Sequence, residues 1–336
     1  MYNKSFLQRY KKLPISSRSG GQGSVFDAID LKTDAVVVVK KLHFQNELPQ
    51  SAVCERHVLS LCTSPFIVQL IGFYSNQNSI LFVLEKCDSD LQNVILSPEM
   101  RVTVLYQLTQ AILYIHSLQI AHRDVKPANL LIKDGNLKLC DFGLSGRGIK
   151  SGGTRGFVPP ETMLGGDISV VGAQDIWAIG ITAICLLMGV ENMFQTLNDK
   201  VDITDSIIIN TLEQLLGTPP KYIFDEQKVE VYTKKNLSPQ IQQFLQENSA
   251  SAQEIEFIKM CLIWNPSERP KAQELYSFFK GIVEVPIVPI TKEKNVKDLQ
   301  IVLDQDEAPL AGFVLDDESE ALAASALDWS MSDLFE

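Results

Sequence analysis

At Cys87 the apolar residues of this chain change period. Before it, from Tyr10 to Glu85, they come in β-branched runs such as AVVVVKKL (35–42) and SILFVLE (79–85), broken by one helical stretch near 50–62. After it, Val104, Leu108, Ala111, Ile112 and Ile115 share one helical face, and the same spacing returns at 175–188, 206–216 and 253–263. Strand side chains alternate with a period of 2 and helix side chains with about 3.6, so the two patterns call for different structures. They predict an α+β protein of two lobes: a small antiparallel sheet carrying one helix, then a larger, mainly helical body. Within that body LLIKDGNLKL (130–139) alternates around Asp134-Gly135, a pair suited to the left-handed positions of a tight hairpin.

From about Pro286 the periodic pattern gives way to prolines and then to acidic and small residues. The expected organisation is a first lobe at 1–86, a second at 87–285 and an acidic tail at 286–336, largely disordered from 291. Formal net charge is −11, but ten Asp or Glu and no Lys or Arg lie in 304–336, which leaves −1 on the remainder. A nearly neutral body argues against sequence-independent binding to nucleic acid or to an anionic membrane. Six cysteines without a C-x-x-C pair, and no charged-then-apolar leader, fit reduced thiols in the nucleus, the cytoplasm or both. The longest apolar run, WAIGITAICLLMGV (177–190), is too short to cross a bilayer and reads as a buried core helix.

The densest chemistry lies in HRDVKPANLLIKDGNLKLCDFG (122–143), which places Asp124, Lys126, Asn129 and Asp141 around the hairpin. Moving a phosphoryl group needs metal to neutralise its oxygens and a base for the incoming hydroxyl. Asn129 and Asp141 offer hard oxygens suited to Mg²⁺. Asp124 can accept the hydroxyl's proton, and Lys126 can offset charge near the γ-phosphate. A surface loop of solvated charges would have to assemble all of these by accident.

HRD, K-P-x-N and DFG, in this order and spacing, resemble the eukaryotic protein kinase family over about residues 10–280. The resemblance implies the bilobed kinase fold, ATP and Mg²⁺, and a protein Ser or Thr as acceptor, because Lys126 two residues after the base is the Ser/Thr pattern. VVVVK resembles the strand that ends in the phosphate-pairing lysine, here Lys40; the neighbouring Lys41, as a solvated strand-end charge, is the alternative. In CERHVLSLCTSPFIVQL (54–70) Glu55 is the implied partner of that lysine. LEKC (84–87) resembles the inter-lobe hinge, with Leu84 guarding the deep pocket and the backbones of Glu85 and Cys87 facing adenine; a plain apolar strand end would read the same way. GSVF (23–26) aligns Gly20, Gly21, Gly23 and Val25 with the phosphate-covering loop, and Arg18 stands where the first glycine belongs. GFVPPE and NPSERP imply a structural bridge from Glu161 to Arg269, and AQDIWAIG implies that Asp175 holds the catalytic loop's backbone.

PQSAVCE (49–55), CDSDLQNVI (87–95) and LEQLLGTPP (212–220) resemble cyclin-dependent kinases. Val158, where such kinases carry arginine, and a short DFG-to-PPE segment suggest a divergent member that phosphorylates and activates other kinases in cell-cycle control. GTRGFVPPE and MFQTLND resemble replication-initiation kinases instead, while Arg18 and the acidic tail also fit a pseudokinase scaffold. Implied partners are a protein substrate and a cyclin-like or other protein, bound through the 49–55 helix or the tail. There Leu327, Met331, Leu334 and Phe335 fall on one helical face. Few hydroxyls lie between DFG and PPE: Ser145 is too close to DFG, Thr154 fits as a partner of Asp124 and Lys126, and Ser151 remains. Arg123 is therefore expected to meet a carbonyl, a carboxylate or water, and the segment to work unphosphorylated.

Overall fold

The computed structural model describes residues 4–20, 23–45, 48–76, 78–148, 152–165, 170–198, 202–220, 239–280 and 301–302, without the side chains of 15–20 and 301–302. A short helix α1 (Lys4–Arg9) leads into β1 (Tyr10–Gly20), β2 (Gly23–Asp30) and β3 (Val36–His43); helix α2 (Gln50–Leu61) follows, then β4 (Leu70–Asn76) and β5 (Ser79–Glu85). The five strands pair antiparallel in the order β1-β2-β3-β5-β4. Register decides which side chains meet. Val25 lies opposite Lys40 and Asp27 opposite Val38, while Val38 faces Leu84 and Lys40 faces Phe82 on the next strand. Because the side-chain period is two, Val25, Val38, Lys40 and Leu84 share one face. Phe26, Ala28, Val37, Val39, Leu81 and Val83 take the other and are buried there with Phe6, Tyr10 and Tyr74. Phe6 and Tyr10 stack at 5.2 Å and meet Tyr74 edge-on at 5.6 and 5.8 Å. Helix α1, which the strand-like pattern from Tyr10 did not announce, thus seals the outer face and leaves the inner one to the cleft.

The second lobe opens with β6 (Ser89–Asp90) and the long α3 (Pro98–Ser117), capped by Ser97, whose hydroxyl accepts from the Met100 N–H. Strands β7 (Leu130–Lys133) and β8 (Asn136–Leu139) form the expected hairpin, with Asp134 at φ 50° and Gly135 at φ 76°. Five-residue α4 (Pro160–Leu164) precedes α5 (Ala173–Met188), the hydrophobic centre of the lobe. Then come α6 (Met193–Asn198), α7 (Asp205–Leu216), α8 (Ile241–Glu247), α9 (Ala252–Cys261) and α10 (Ala272–Phe278). A Cβ on Gly180 would lie 2.7 Å from Leu262 Cδ2 and 2.8 Å from Cys261 Cβ, so only glycine lets the end of α9 approach α5 this closely. The apolar run 177–190 falls mostly in α5, and no helix among the described residues is long and apolar enough to cross a membrane.

The tail departs from expectation at one point. Ile301–Val302, β9, pairs in parallel with Phe73 and Tyr74 and adds to the edge of the sheet at β4. Residues 303–336 lie outside the described residues.

Candidate active site

The cleft between the lobes gathers charges from distant parts of the chain. Strand β3 delivers Lys40 to the inner face, where its Nζ donates to both Glu55 oxygens at 2.9 and 2.8 Å and to Asp141 Oδ1 at 3.1 Å. Burial pulls the Lys40 pKa down, but the two carboxylates outweigh it and hold the ammonium above the usual lysine range. Lys40 is therefore the lysine brought to the acids; its half-buried neighbour Lys41 titrates below the usual range through burial and the nearby charge of Lys12. Glu55 is buried on α2, whereas the Asp141 side chain is 44% exposed.

Below it, Asp124 sits at the centre of a four-membered cluster. Its Oδ1 accepts from the Thr154 hydroxyl at 2.6 Å and backbone N–H at 3.0 Å; its Oδ2 accepts from Lys126 Nζ at 2.8 Å and Asn129 Nδ2 at 3.1 Å. Lys126 Nζ also donates to Thr154 Oγ1 at 2.6 Å, so that hydroxyl accepts from the lysine and donates to the acid. Burial opposes the charge on Asp124, yet Lys126 and Thr154 prevail and hold its carboxyl below the ordinary range. It is ionised at neutral pH.

The loop carrying this acid is bent. Arg123 at φ 69° and Asp141 at φ 63° both occupy the left-handed region, which costs a non-glycine residue about 1–3 kcal/mol and must be enforced by its surroundings. At Arg123, fully buried Asp175, at the start of α5, supplies the enforcement: Oδ1 accepts the Arg123 N–H at 2.7 Å, and Oδ2 accepts the His122 N–H at 2.8 Å. Its Oδ2 also lies 2.8 Å from His116 Nε2. His122 Nδ1 accepts from the Asp124 N–H at 3.3 Å, which assigns the ring proton to Nε2, 3.1 Å from the Cys140 carbonyl. Burial lowers the His122 pKa, so the ring is neutral.

This arrangement has relatives. The model of the protein kinase domain matches residues 19–278. The chain belongs to the protein kinase family. It is 30% identical over 214 residues to the dual specificity mitogen-activated protein kinase kinase mek-2 of Caenorhabditis elegans, covering 56% of this chain and 55% of that one. To the serine/threonine-protein kinase crk1 of Schizosaccharomyces pombe it is 31% identical over 285 residues, 77% of this chain and 82% of that one. Against serine/threonine-protein kinase 4 homolog B of Dictyostelium discoideum the figure is 29% over 278 residues, 78% of this kinase but 22% of the other. The kinase thus spans about half, or less, of the length of the first and third of these relatives.

The remaining residues singled out by sequence fall as follows. Gly20 pairs with Gly23 across the β1–β2 turn, and Gly21 lies outside the described residues, as does the side chain of Arg18. A Cβ on Gly23 would overlap the Lys41 carbonyl oxygen, so strand pairing alone demands glycine there. Val25 is 39% exposed on the cleft face, and Leu84 is buried on the same face. At the hinge, burial and the charge of Glu85 push the Cys87 thiol up to about 11, leaving it neutral. The Glu85 side chain turns away to a task the sequence does not disclose. Its oxygens accept from Gln69 N–H and Lys133 Nζ at 2.8 Å each and pair with Lys138 Nζ at 2.9 Å, tying the hinge to β7 and β8. No local period marks a bridge across about fifty residues.

Asn129 and Asp141 are also the two candidates for metal. Asn129 Nδ2 donates to the Asp124 carbonyl at 2.8 Å as well as to its carboxylate, which leaves Oδ1 as the acceptor for a cation. Among the described residues no cluster of three or more His, Cys, Asp or Glu could cage a metal alone. Two hard oxygens that need phosphate and water to complete an octahedron fit Mg²⁺ bound with a nucleotide.

Proposed function

We propose that this kinase transfers the γ-phosphoryl group of ATP to a Ser or Thr hydroxyl of a protein substrate. The observation that carries the proposal is the Asp124 cluster, an ionised acid fixed by Lys126, Asn129 and Thr154, beneath the chain Glu55–Lys40–Asp141. Bound Mg²⁺ would supply charge neutralisation at the phosphate oxygens. Asp124 orients the acceptor hydroxyl and takes its proton; Lys126 offsets the charge that grows on the transferring group; Lys40, held charged, receives phosphate oxygens while Glu55 keeps it in place. A pseudokinase scaffold has no chemical need for this complete and assembled set.

The likeness to the serine/threonine-protein kinase crk1 supports Ser or Thr as acceptor; within that class we favour a cyclin-dependent-kinase-like enzyme acting on other kinases, supported by the stretches at 49–55, 87–95 and 212–220. The six free cysteines, all without disulfides, suit a nuclear or cytoplasmic setting. Asp124→Asn should lower transfer by about 10²–10⁴-fold with nucleotide binding retained, whereas Asp141→Asn should weaken both. Transfer of labelled γ-phosphate and Mg²⁺-nucleotide thermal stabilisation measure the two effects; wild-type turnover in either variant rejects the assignment.

A further inference from the structure

Directly after Thr154, whose hydroxyl and N–H both donate to Asp124, the chain turns back on itself. The Thr154 carbonyl accepts the Phe157 N–H at 3.0 Å, and Gly156 sits at φ 96°, the left-handed value that a type II turn requires at its third residue. Phe157 is buried, and Asn192 Nδ2 donates to the Arg155 carbonyl at 3.2 Å. These contacts fix the backbone and leave Arg155 at the tip of the turn with its side chain 59% exposed. Its guanidinium is only lightly used. Nη1 donates to the Ile203 carbonyl at 3.0 Å, Nε lies 3.5 Å from Asp205 Oδ1, on a side chain itself 43% exposed, and among the described residues Nη2 has no acceptor. From Phe142 to Pro160 the chain carries three bases, Arg147, Lys150 and Arg155, and no acid.

We propose that Arg155 selects peptides that carry Asp or Glu within two residues of the acceptor hydroxyl. This rests on the phosphoryl-transfer reading of the Asp124 cluster. A hydroxyl delivered to Asp124 arrives beside Thr154, and the next Cα along the chain, about 3.8 Å on, is that of Arg155. An extended peptide advances about 3.3 Å per residue, so the side chains flanking the acceptor pass within the arginine's reach. A planar guanidinium with an unused nitrogen is built to meet a carboxylate through two parallel hydrogen bonds. Asp205 occupies the fork until then: at 3.5 Å and open to water the pair adds little stability, and a substrate carboxylate displaces it at small cost. A structural pin needs neither the exposure nor the spare nitrogen. The Glu161–Arg269 bridge, buried and paired through two short hydrogen bonds, is what such a pin looks like in this protein.

The test uses the full chain and peptides with one central Ser, in which each position from two before it to two after it is fixed in turn as Asp, Ala or Lys. Wild type should phosphorylate the best Asp peptide with a kcat/KM about five-fold above that of its Ala counterpart. Arg155→Gln should bring this ratio to about one, and Arg155→Glu should favour Lys over Asp. Asp205→Asn, which removes the competing carboxylate and keeps the arginine, should raise the ratio. A wild type indifferent to Asp overturns the proposal. So does an Arg155→Gln enzyme that loses activity equally on every peptide with the ratio intact, which would make Arg155 a structural pin. The same peptides with Ala in place of Ser, labelled and read by fluorescence anisotropy, should bind wild type in the same order of preference. Absence of transfer to every peptide would count against the kinase reaction, whereas an affinity order that Arg155→Gln does not move would count against Arg155 as the reader of the acid.

Discussion

Two buried arginines brace the segment between DFG and PPE (141–161), one at each end, and their charges are met in different ways. Arg269 faces Glu161 through two parallel hydrogen bonds of 2.6 and 2.7 Å, donates its Nε to the Ile263 carbonyl at 2.8 Å and lies 4.9 Å from the Trp177 ring centroid. Among the described residues Arg123 meets oxygens of the backbone only: Leu144 at 3.3 Å, Arg147 at 2.9 Å and Gly148 at 2.8 Å. A full opposite charge locks the C-terminal end of the segment. Partial charges hold the N-terminal end, and they come from the segment's own turns.

Breaking the charged end should have the largest effect. Arg269→Ala leaves the Glu161 carboxyl buried without its partner, a loss of about 3–5 kcal/mol that chemical denaturation would read directly. Arg123→Ala should cost less, about 1–3 kcal/mol, because it strands carbonyls rather than a charge. It should also reduce transfer more than stability, since the residue next to it is Asp124. If the two variants lose equal stability, the distinction between the ends is wrong.

The difference also shows what a sequence discloses. Asp124, Asn129 and Asp141 were legible from their spacing around a hairpin that the Asp134-Gly135 turn fixes locally, whereas Lys40, with Lys41 as its alternative, and Glu55 were legible by likeness to kinases. Glu161 and Arg269 were legible only by likeness to other kinases. The carbonyls that close on Arg123 carry no side-chain signal, so the sequence left carbonyl, carboxylate and water open. Helix α1, the Glu85 bridges to Lys133 and Lys138, and the pairing of Ile301–Val302 with β4 were not legible. They depend on contacts between distant segments, which leave no period in either partner.

A smaller effect should come from pH, through the neutral neighbour of Arg123. His122 is fully buried with a depressed pKa, so between that value and the unfolded value of about 6.5 unfolding takes up a proton. Its contribution is complete above about 6.5 and is lost as pH falls below it, by up to about 1.4 kcal/mol per pH unit. His57, lowered mainly by burial and then by Arg147 and Arg56, adds a slope of the same sign. Urea midpoints between pH 7.5 and 5.5 should fall less steeply in His122→Asn than in wild type; parallel curves would show that His122 protonates freely in the folded protein.

The smallest effect expected is none at all. A phosphate on the segment would act by giving Arg123 an anion, yet its guanidinium already donates to three carbonyls. The available acceptors are also poorly placed. Ser145 is 3% exposed and donates to the His122 carbonyl at 3.2 Å, so phosphorylating it would push a dianion into the loop's core. The Thr154 hydroxyl is engaged by both Asp124 and Lys126, and a phosphate there would face the carboxylate of the base. Ser151 lies outside the described residues, between Lys150 and Gly152. Protein made in bacteria and shown by mass spectrometry to be unmodified at Ser145, Ser151 and Thr154 should therefore transfer phosphate at the same rate before and after phosphatase treatment, and Ser151→Ala should match it. Activity that appears only after one of these hydroxyls is phosphorylated would mean that the carbonyl closure of Arg123 is a resting arrangement, and that both ends of the segment need a full negative charge to work.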